Sequence, residues 1–505
     1  MPAGGLAARR LAPVLALIAL CCLRSGYGAT TAPQAAAASK KVSALDAANV
    51  LQVCSKPGQC TKIVRYPLKV RIGFECPPFA KQCTFYNTTQ PASTSSRVAA
   101  AKPVNELQVF QYPKIVGSQV AMPLYQFTSE HNVLEAARRL LQSGSTSFKF
   151  DLKNQRANGK PIKELDKKGW LSIATHGELP YVTLFDMPFR HFLFWAGRTP
   201  APGRNITWTD IDGIDVYKEM YRLVVWLLKR YNNSGKTFYI GHWEGDWCLR
   251  DTYNKSAPAN PKKVQTMIKL LTDKQRAVDA AKKDNPWAKN VFVWHYAEAN
   301  LVEQSMKQGP GWASMVNTVI GAVRPVIDYV SISVGGDSLR EVNPAPALHK
   351  AMDFANQKLP AKPGVPGPRV FAGEFYFDMR NRDDNIAIYA PTPELQKQRG
   401  CWAAAAGVAW GAPHMLWWAF YDNEQTRSGA YRGYWLVDNG NRDTPLFRAY
   451  QQYFSDAQEF VRSVMAATGK PPSDYGFRVW ATERLIQLSG KTDVPTRPAV
   501  RYWGS

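Results

Sequence analysis

From about residue 117 onward, short apolar runs alternate with longer stretches whose apolar positions recur at helical spacing. The runs predict strands over 119–127, 147–152, 181–186, 236–243, 290–296, 328–334, 369–375 and 414–420. Between and after them the spacing predicts helices over 131–142, 162–173, 216–231, 262–283, 313–323, 345–357, 393–406 and 445–464. The strands are almost continuously apolar, as parallel strands buried on both faces must be. Successive strand–helix units with no antiparallel hairpin signal predict an α/β chain of the (β/α)8, or TIM-barrel, class. A doubly wound sheet would carry a glycine-rich phosphate turn after its first strand, and neither GxGxxG nor GxxxxGK[ST] occurs.

The N-terminal part has a different pattern. Arg9 and Arg10 precede an apolar run over 11–23, and Gly26 and Gly28 fit the −3 and −1 positions of a signal-peptidase site. That run is short of the about 20 residues a membrane span needs. The expected division is a signal peptide over 1–28, an extension over 29–116, the barrel over 117–465 and an appendage over 466–505. The mature chain is expected to be secreted, with no transmembrane segment after signal removal.

Cysteine usage suits an oxidising compartment. Cys21 and Cys22 leave with the signal, and Cys54, Cys60, Cys76 and Cys83 crowd the extension, which reads as disulfide-containing with the pairing open. Cys248 and Cys401 fall in different parts of the barrel, which disfavours pairing. No CxxC pair has metal-site spacing, so neither a metal nor another cofactor is expected. Glycosylation sequons stand at Asn87, Asn205, Asn232 and Asn254.

The 505 residues are 45% hydrophobic and 20% charged, a globular balance that excludes a disordered, collagen-like or polytopic membrane chain. Lys and Arg number 63 against 40 Asp and Glu, a net charge of +23 that attracts polyanions. The basic residues are scattered, and no nucleic-acid motif accompanies them. Nucleic acid is therefore not an expected partner, whereas an anionic polysaccharide, acidic or sulfated, is a candidate.

Barrel enzymes carry their chemistry at the C-terminal ends of the strands. The predicted ends place Asp186, Trp243, Glu244, Asp246, His295, Tyr296, Glu298, Glu374, Tyr376, Trp417 and Trp418 toward one face. Aromatic faces pack on the C–H faces of pyranose rings, and carboxylates bind hydroxyls or transfer protons. Two carboxyl groups flanking a glycosidic bond suffice for hydrolysis, about 5 to 5.5 Å apart for retention and about 6.5 to 9.5 Å for inversion.

A glutamate ending the fourth strand, another ending the seventh and a tryptophan ending the eighth resemble the clan of retaining glycoside hydrolases built on (β/α)8 barrels, over about 117–465. The resemblance implies a general acid/base at Glu244 in GHWEGDW, a nucleophile at Glu374 in AGEFYFD, and a sugar platform at Trp417 or Trp418. Asp186, Trp243, Asp246, His295, Tyr296 and Tyr376 complete the expected carbohydrate-binding set. The clan has Asn before its acid/base, where this chain has Trp243. Its tyrosine near the end of strand six has no counterpart, because Tyr329 begins that strand; Tyr296 or Tyr376 could substitute. The expected function is a secreted glycosidase acting on a poly- or oligosaccharide. The alternative is a non-catalytic glycan-binding or extracellular-matrix protein on a hydrolase-like barrel.

Overall fold

The computed structural model describes residues 102–197, 215–336, 338–339, 343–381, 383, 390–490 and 500–501, together with four short strands between 49 and 86. Those four form two antiparallel pairs, Asn49–Lys56 with Gln59–Tyr66 and Gly73–Glu75 with Thr84–Tyr86. The signal segment, the side chains of Cys54, Cys60, Cys76 and Cys83, and the sequons at Asn87 and Asn205 lie outside the described residues.

Eight parallel strands then close into a barrel. Numbered from the first barrel strand, they are β1 (Val116–Val120), β2 (Ser147–Leu152), β3 (His191–Ala196), β4 (Thr237–Gly241), β5 (Phe292–Ala299), β6 (Tyr329–Val334), β7 (Val370–Phe375) and β8 (Met415–Trp417). Closure comes from β8 pairing with β1, Leu416 opposite Gly117. There a side chain at Gly117 would collide with the Ser147 carbonyl at 2.9 Å. Among the described residues no helix is long and apolar enough to cross a membrane.

Two expectations are corrected. Residues Tyr181–Asp186 form a short helix, and the third strand is His191–Ala196, ten residues on. The burial of Tyr181, Leu184 and Phe185, with Thr183 and Asp186 outward, follows a helical period, which the apolar look of YVTLFD conceals. Asp186 consequently precedes β3 and lies at the opposite end of the barrel from the strand C-termini. There it pairs with Arg230 at 2.8 Å. The first strand runs over Val116–Val120 and stops short of Pro123, which has no N–H to give a ladder.

Apolar packing splits into two layers. Between strands and helices lies a large cluster that includes the stacked Phe148, Phe150 and Phe194. Inside the barrel, Leu193, Tyr239, Tyr296, Tyr329, Phe371 and Leu416 form a second one. This interior packing needs a bare backbone at Gly241, where a Cβ would fall 2.2 Å from the Tyr296 ring. The 313–323 segment is a π-helical turn, Met315–Val319, followed by Ile320–Ala322. Helix Asp474–Leu488 packs against helix Pro393–Trp410.

At the rim, one buried carboxylate fixes two loops. Glu135, in helix Asn132–Gln142, accepts the backbone N–H groups of Phe127 and Thr128 at 3.0 and 2.6 Å, and the Tyr421 hydroxyl at 2.7 Å. These bonds join the loop after β1 to the loop after β8. Replacing Glu135 by Ala leaves those donors without an acceptor, so urea unfolding should show a loss of about 2 to 3 kcal/mol.

Candidate active site

The site begins with a lysine in a place where lysine is rare. In β2, Phe148, Phe150 and Leu152 face the helices, so Lys149 and Asp151 face the barrel interior. Lys149 is fully buried. Its ammonium lies 2.7 Å from Glu298 Oε2 and 3.1 Å from Glu374 Oε1, and donates to the Gly373 carbonyl at 3.1 Å. Three N–H donors thus meet three acceptors. The Trp195 ring closes one side of the group, 4.4 Å from the ammonium.

Each carboxylate reaches this point by its own backbone device. On β5, Trp294, Tyr296 and Glu298 alternate inward, which carries Glu298 to the top of the interior. On β7 strict alternation from the inward Phe371 would send Glu374 toward the helices. A register shift intervenes, since Ile332 pairs with Ala372 while the next residue, Ser333, pairs with Glu374. Such a bulge re-aims the side chain that follows it. Gly373 is the residue that makes this possible, because a Cβ there would lie 2.0 Å from Ser331 Oγ.

Glu244 follows β4 and is placed by its neighbour. Asp246 accepts the N–H groups of Asn300 and Leu301 at 3.1 Å each and that of Met315 at 2.9 Å. The Glu244 N–H donates to Glu298 Oε1 at 3.2 Å. The loop after β4 is therefore clamped to the loop after β5. From this position Glu244 Oε1 lies 2.7 Å from the Ser333 hydroxyl, which also lies 3.1 Å from Glu374 Oε2. Two oxygens bound to one hydroxyl cannot be farther apart than the sum of those distances, so the two carboxyl groups are near neighbours at the mouth.

Two carboxyl groups share one ammonium here, and a third, Glu244, lies beside them. Removal from water raises Glu244 to about 7; the Ser333 hydroxyl opposes this, and the charge on Glu298 adds to it. Burial also raises Glu374 well above the usual carboxylate range, against the pull of Lys149 and with the push of Glu298 and Glu244. Because Lys149 contacts Glu374 and not Glu244, a proton held by the pair is favoured on Glu244. The single Ser333 hydroxyl proton can be donated to either carboxylate, which favours the ionised form of the one that receives it.

Above the pair opens a cavity of about 1140 Å³, lined by Trp243, Glu244, Glu374, Tyr376 and Trp418 among others. The structure also places Trp195, Ser333 and Tyr434 in its wall. Tyr376 lies over Gly335, where a Cβ would meet the ring at 2.2 Å, and packs edge-on against Tyr434 at 5.0 Å. Arg432, also in the lining, is engaged by Asp378 at 2.7 Å and Glu424 at 2.6 Å.

Five of the expected residues are brought together in this way, and five are not. Trp417 points away from the mouth and donates its indole N–H to the Tyr434 carbonyl at 2.6 Å; strand alternation leaves Trp418 as the inward ring. His295 faces the helices, beside Gln275 at 3.2 Å. Tyr296 is interior but one layer below Glu298, outside the cavity lining. Asp246 is wholly engaged by backbone, and Asp186 is at the far end. Missed by sequence reasoning were Lys149, Ser333 and Trp195. The available signal was a lysine amid FKFDL: a strand buried on both faces must supply such a charge with a partner.

No protein-family model matches the chain, and no curated protein matches it. Solved structures similar to it include a Glycoside Hydrolase 5 lichenase from a Caldicellulosiruptor species in complex with cellotetraose, at 13% identity and TM-score 0.40, covering 74% of this chain and all of that one. A broad specificity endoglucanase from Clostridium acetobutylicum aligns at 10% identity and TM-score 0.42, covering 69% of this chain and 99% of its own. An endo-1,4-beta-xylanase from Caldicellulosiruptor owensensis does so at 10% and 0.37, covering 68% and 98%.

The bridging hydroxyl is open to direct test. Its bond holds Glu244 down, so Ser333→Ala should move the Glu244 titration upward from about 7, by on the order of one pH unit. Carboxyl-carbon NMR of the glutamate-labelled protein reads this shift.

Proposed function

We propose that this chain is a glycoside hydrolase working by retaining double displacement, with Glu244 as general acid/base and Glu374 as nucleophile. The observation that carries the proposal is the single Ser333 hydroxyl in contact with both carboxyl groups at the floor of an aromatic cavity. Carboxyl groups that close suit the shorter of the two separations, the one at which the second carboxylate itself attacks.

In the first step a Glu374 oxygen attacks the anomeric carbon as the bond to the leaving oxygen breaks. The leaving oxygen takes the Glu244 proton. A glycosyl ester of Glu374 remains. In the second step Glu244 accepts a proton from water, the water oxygen attacks the same carbon, and Glu374 departs as carboxylate. Lys149 favours the ionised nucleophile at the start and the departing carboxylate at the end, and Glu298 holds Lys149 in position.

The substrate class that fits is a poly- or oligosaccharide. Asp151, Asp166, Glu303 and Glu424 join the catalytic pair in the lining, against Lys153, Lys255, Lys307 and the engaged Arg432. Glu424 and Arg432 pair with each other, so the remaining lining carries charges of both signs, groups that suit sugar hydroxyls. The charge of +23 is not gathered at this cavity. Secretion, expected from the N-terminal segment, is consistent with a polysaccharide substrate.

Glu374→Gln should lower kcat on oligosaccharides by at least about 10³-fold, and Glu244→Gln by about 10²- to 10⁴-fold. An aryl glycoside with an acidic phenol needs no proton on departure, so Glu244→Gln should slow its cleavage far less. The acid must be protonated, so kcat/KM should fall as pH rises through about 7. Reducing-sugar release and phenol absorbance measure both; unchanged oligosaccharide turnover in the two variants would remove the assignment.

A further inference from the structure

We infer that the cavity arm built on the loop after β4 is a binding platform for the leaving part of a carbohydrate chain. The substrate would then be cut between internal units, with two or more units beyond the cleaved bond. This inference rests on the hydrolase reading above and adds to it which part of the substrate is gripped and by what.

The loop that carries Glu244 continues into Trp247 and Tyr253, whose rings meet edge-on at 5.7 Å. Both line the same cavity as the carboxyl pair and as Trp243, which immediately precedes Glu244 in sequence. Trp247 is half-buried, and Tyr253 is 56% exposed. A proton donor must face the oxygen that departs. Rings on the donor's own loop therefore extend the cavity toward the departing side, whereas Trp418 and Tyr434 belong to the loop after β8, beside the nucleophile.

Three further features point the same way. The cavity, about 1140 Å³, exceeds the about 300 to 1,000 Å³ that encloses a drug-sized ligand, so it is larger than one sugar ring requires. Helix Val302–Gln308 presents Glu303, Gln304 and Lys307 to the same space, polar groups suited to hydroxyls. The loop is also held rigid. Arg250 donates to the carbonyls of Asp246, Ala257 and Ala313 and lies over the Trp312 ring at 4.2 Å, and the Asn260 N–H donates to the Leu249 carbonyl at 2.8 Å. Rings fixed before the ligand arrives lose little conformational freedom on binding.

The test uses the full chain with cellohexaose, xylohexaose and mannohexaose as probes. In the Glu374→Gln protein, calorimetry should show that adding Trp247→Ala or Tyr253→Ala weakens binding of the best probe about tenfold. In the active chain, the same two substitutions should reduce by a similar factor the gain in kcat/KM from disaccharide to hexasaccharide. Trp287→Ala removes an exposed ring remote from the cavity lining and should change neither quantity. Tyr253 lies on the surface, so its variant covers the case in which Trp247→Ala fails to fold. Equal affinity in both variants, or no binding of any probe, overturns the platform. Weakened binding without turnover in the parent chain would instead keep the platform and reject the hydrolase.

Discussion

One buried ammonium organises the mouth of this barrel. Lys149 is taken wholly out of water and is tolerable there only because three oxygens, two of them carboxylate, meet its three donors. Those acceptors come from β5 and β7, which flank β6, so the ion cluster ties β2 to the opposite side of the barrel. Deleting one partner of such a buried group costs about 3 to 5 kcal/mol. That penalty explains why charged groups sit where apolar packing would be more stable: the cluster fixes the nucleophile candidate to within hydrogen-bond tolerance.

The same cluster makes its two upper carboxyls unlike each other. Glu374 has a cation at 3.1 Å, while Glu244 has a hydroxyl, an indole-rich loop and the charge of Glu298 beneath its backbone. Removal from water raises both, and their different partners set them apart: on the proposed reading Glu244 holds the proton and Glu374, beside the cation, attacks. Asp246 acts a step farther out. It does not itself line the cavity, yet its acceptor bonds to Asn300, Leu301 and Met315 decide where the Glu244 backbone lies.

Much of the barrel was legible in the sequence because parallel strands buried on both faces leave long apolar runs, and seven of the eight strands fall within or overlap those runs. YVTLFD failed because six apolar-rich residues fit both periods; only the inward set Tyr181, Leu184 and Phe185 separates helix from strand, and that set depends on tertiary burial. Glu244 and Glu374 could be found from their position at strand ends. His295, Tyr296 and Trp417 could not be excluded the same way, because whether a residue near a strand end faces the mouth depends on register. The bulge at Gly373 is the sharpest case: simple alternation from Phe371 would have turned Glu374 outward. Lys149 was overlooked because it lies in mid-strand, where a search restricted to strand ends does not look.

Trp243 stands where the resembled clan has an asparagine, and the structure gives that exchange a physical content. An amide there would offer a hydrogen bond to a sugar hydroxyl; an indole offers area and a less polar wall. A less polar wall favours the neutral form of the adjacent carboxyl, which agrees with Glu244 being raised to about 7. It also begins the run of rings that Trp247 and Tyr253 continue. On the proposed reading the exchange would trade a directional contact on the sugar for apolar contact beside the acid. Binding energy would then come more from stacking along the substrate than from any one hydroxyl, and a chain would be recognised better than a single unit.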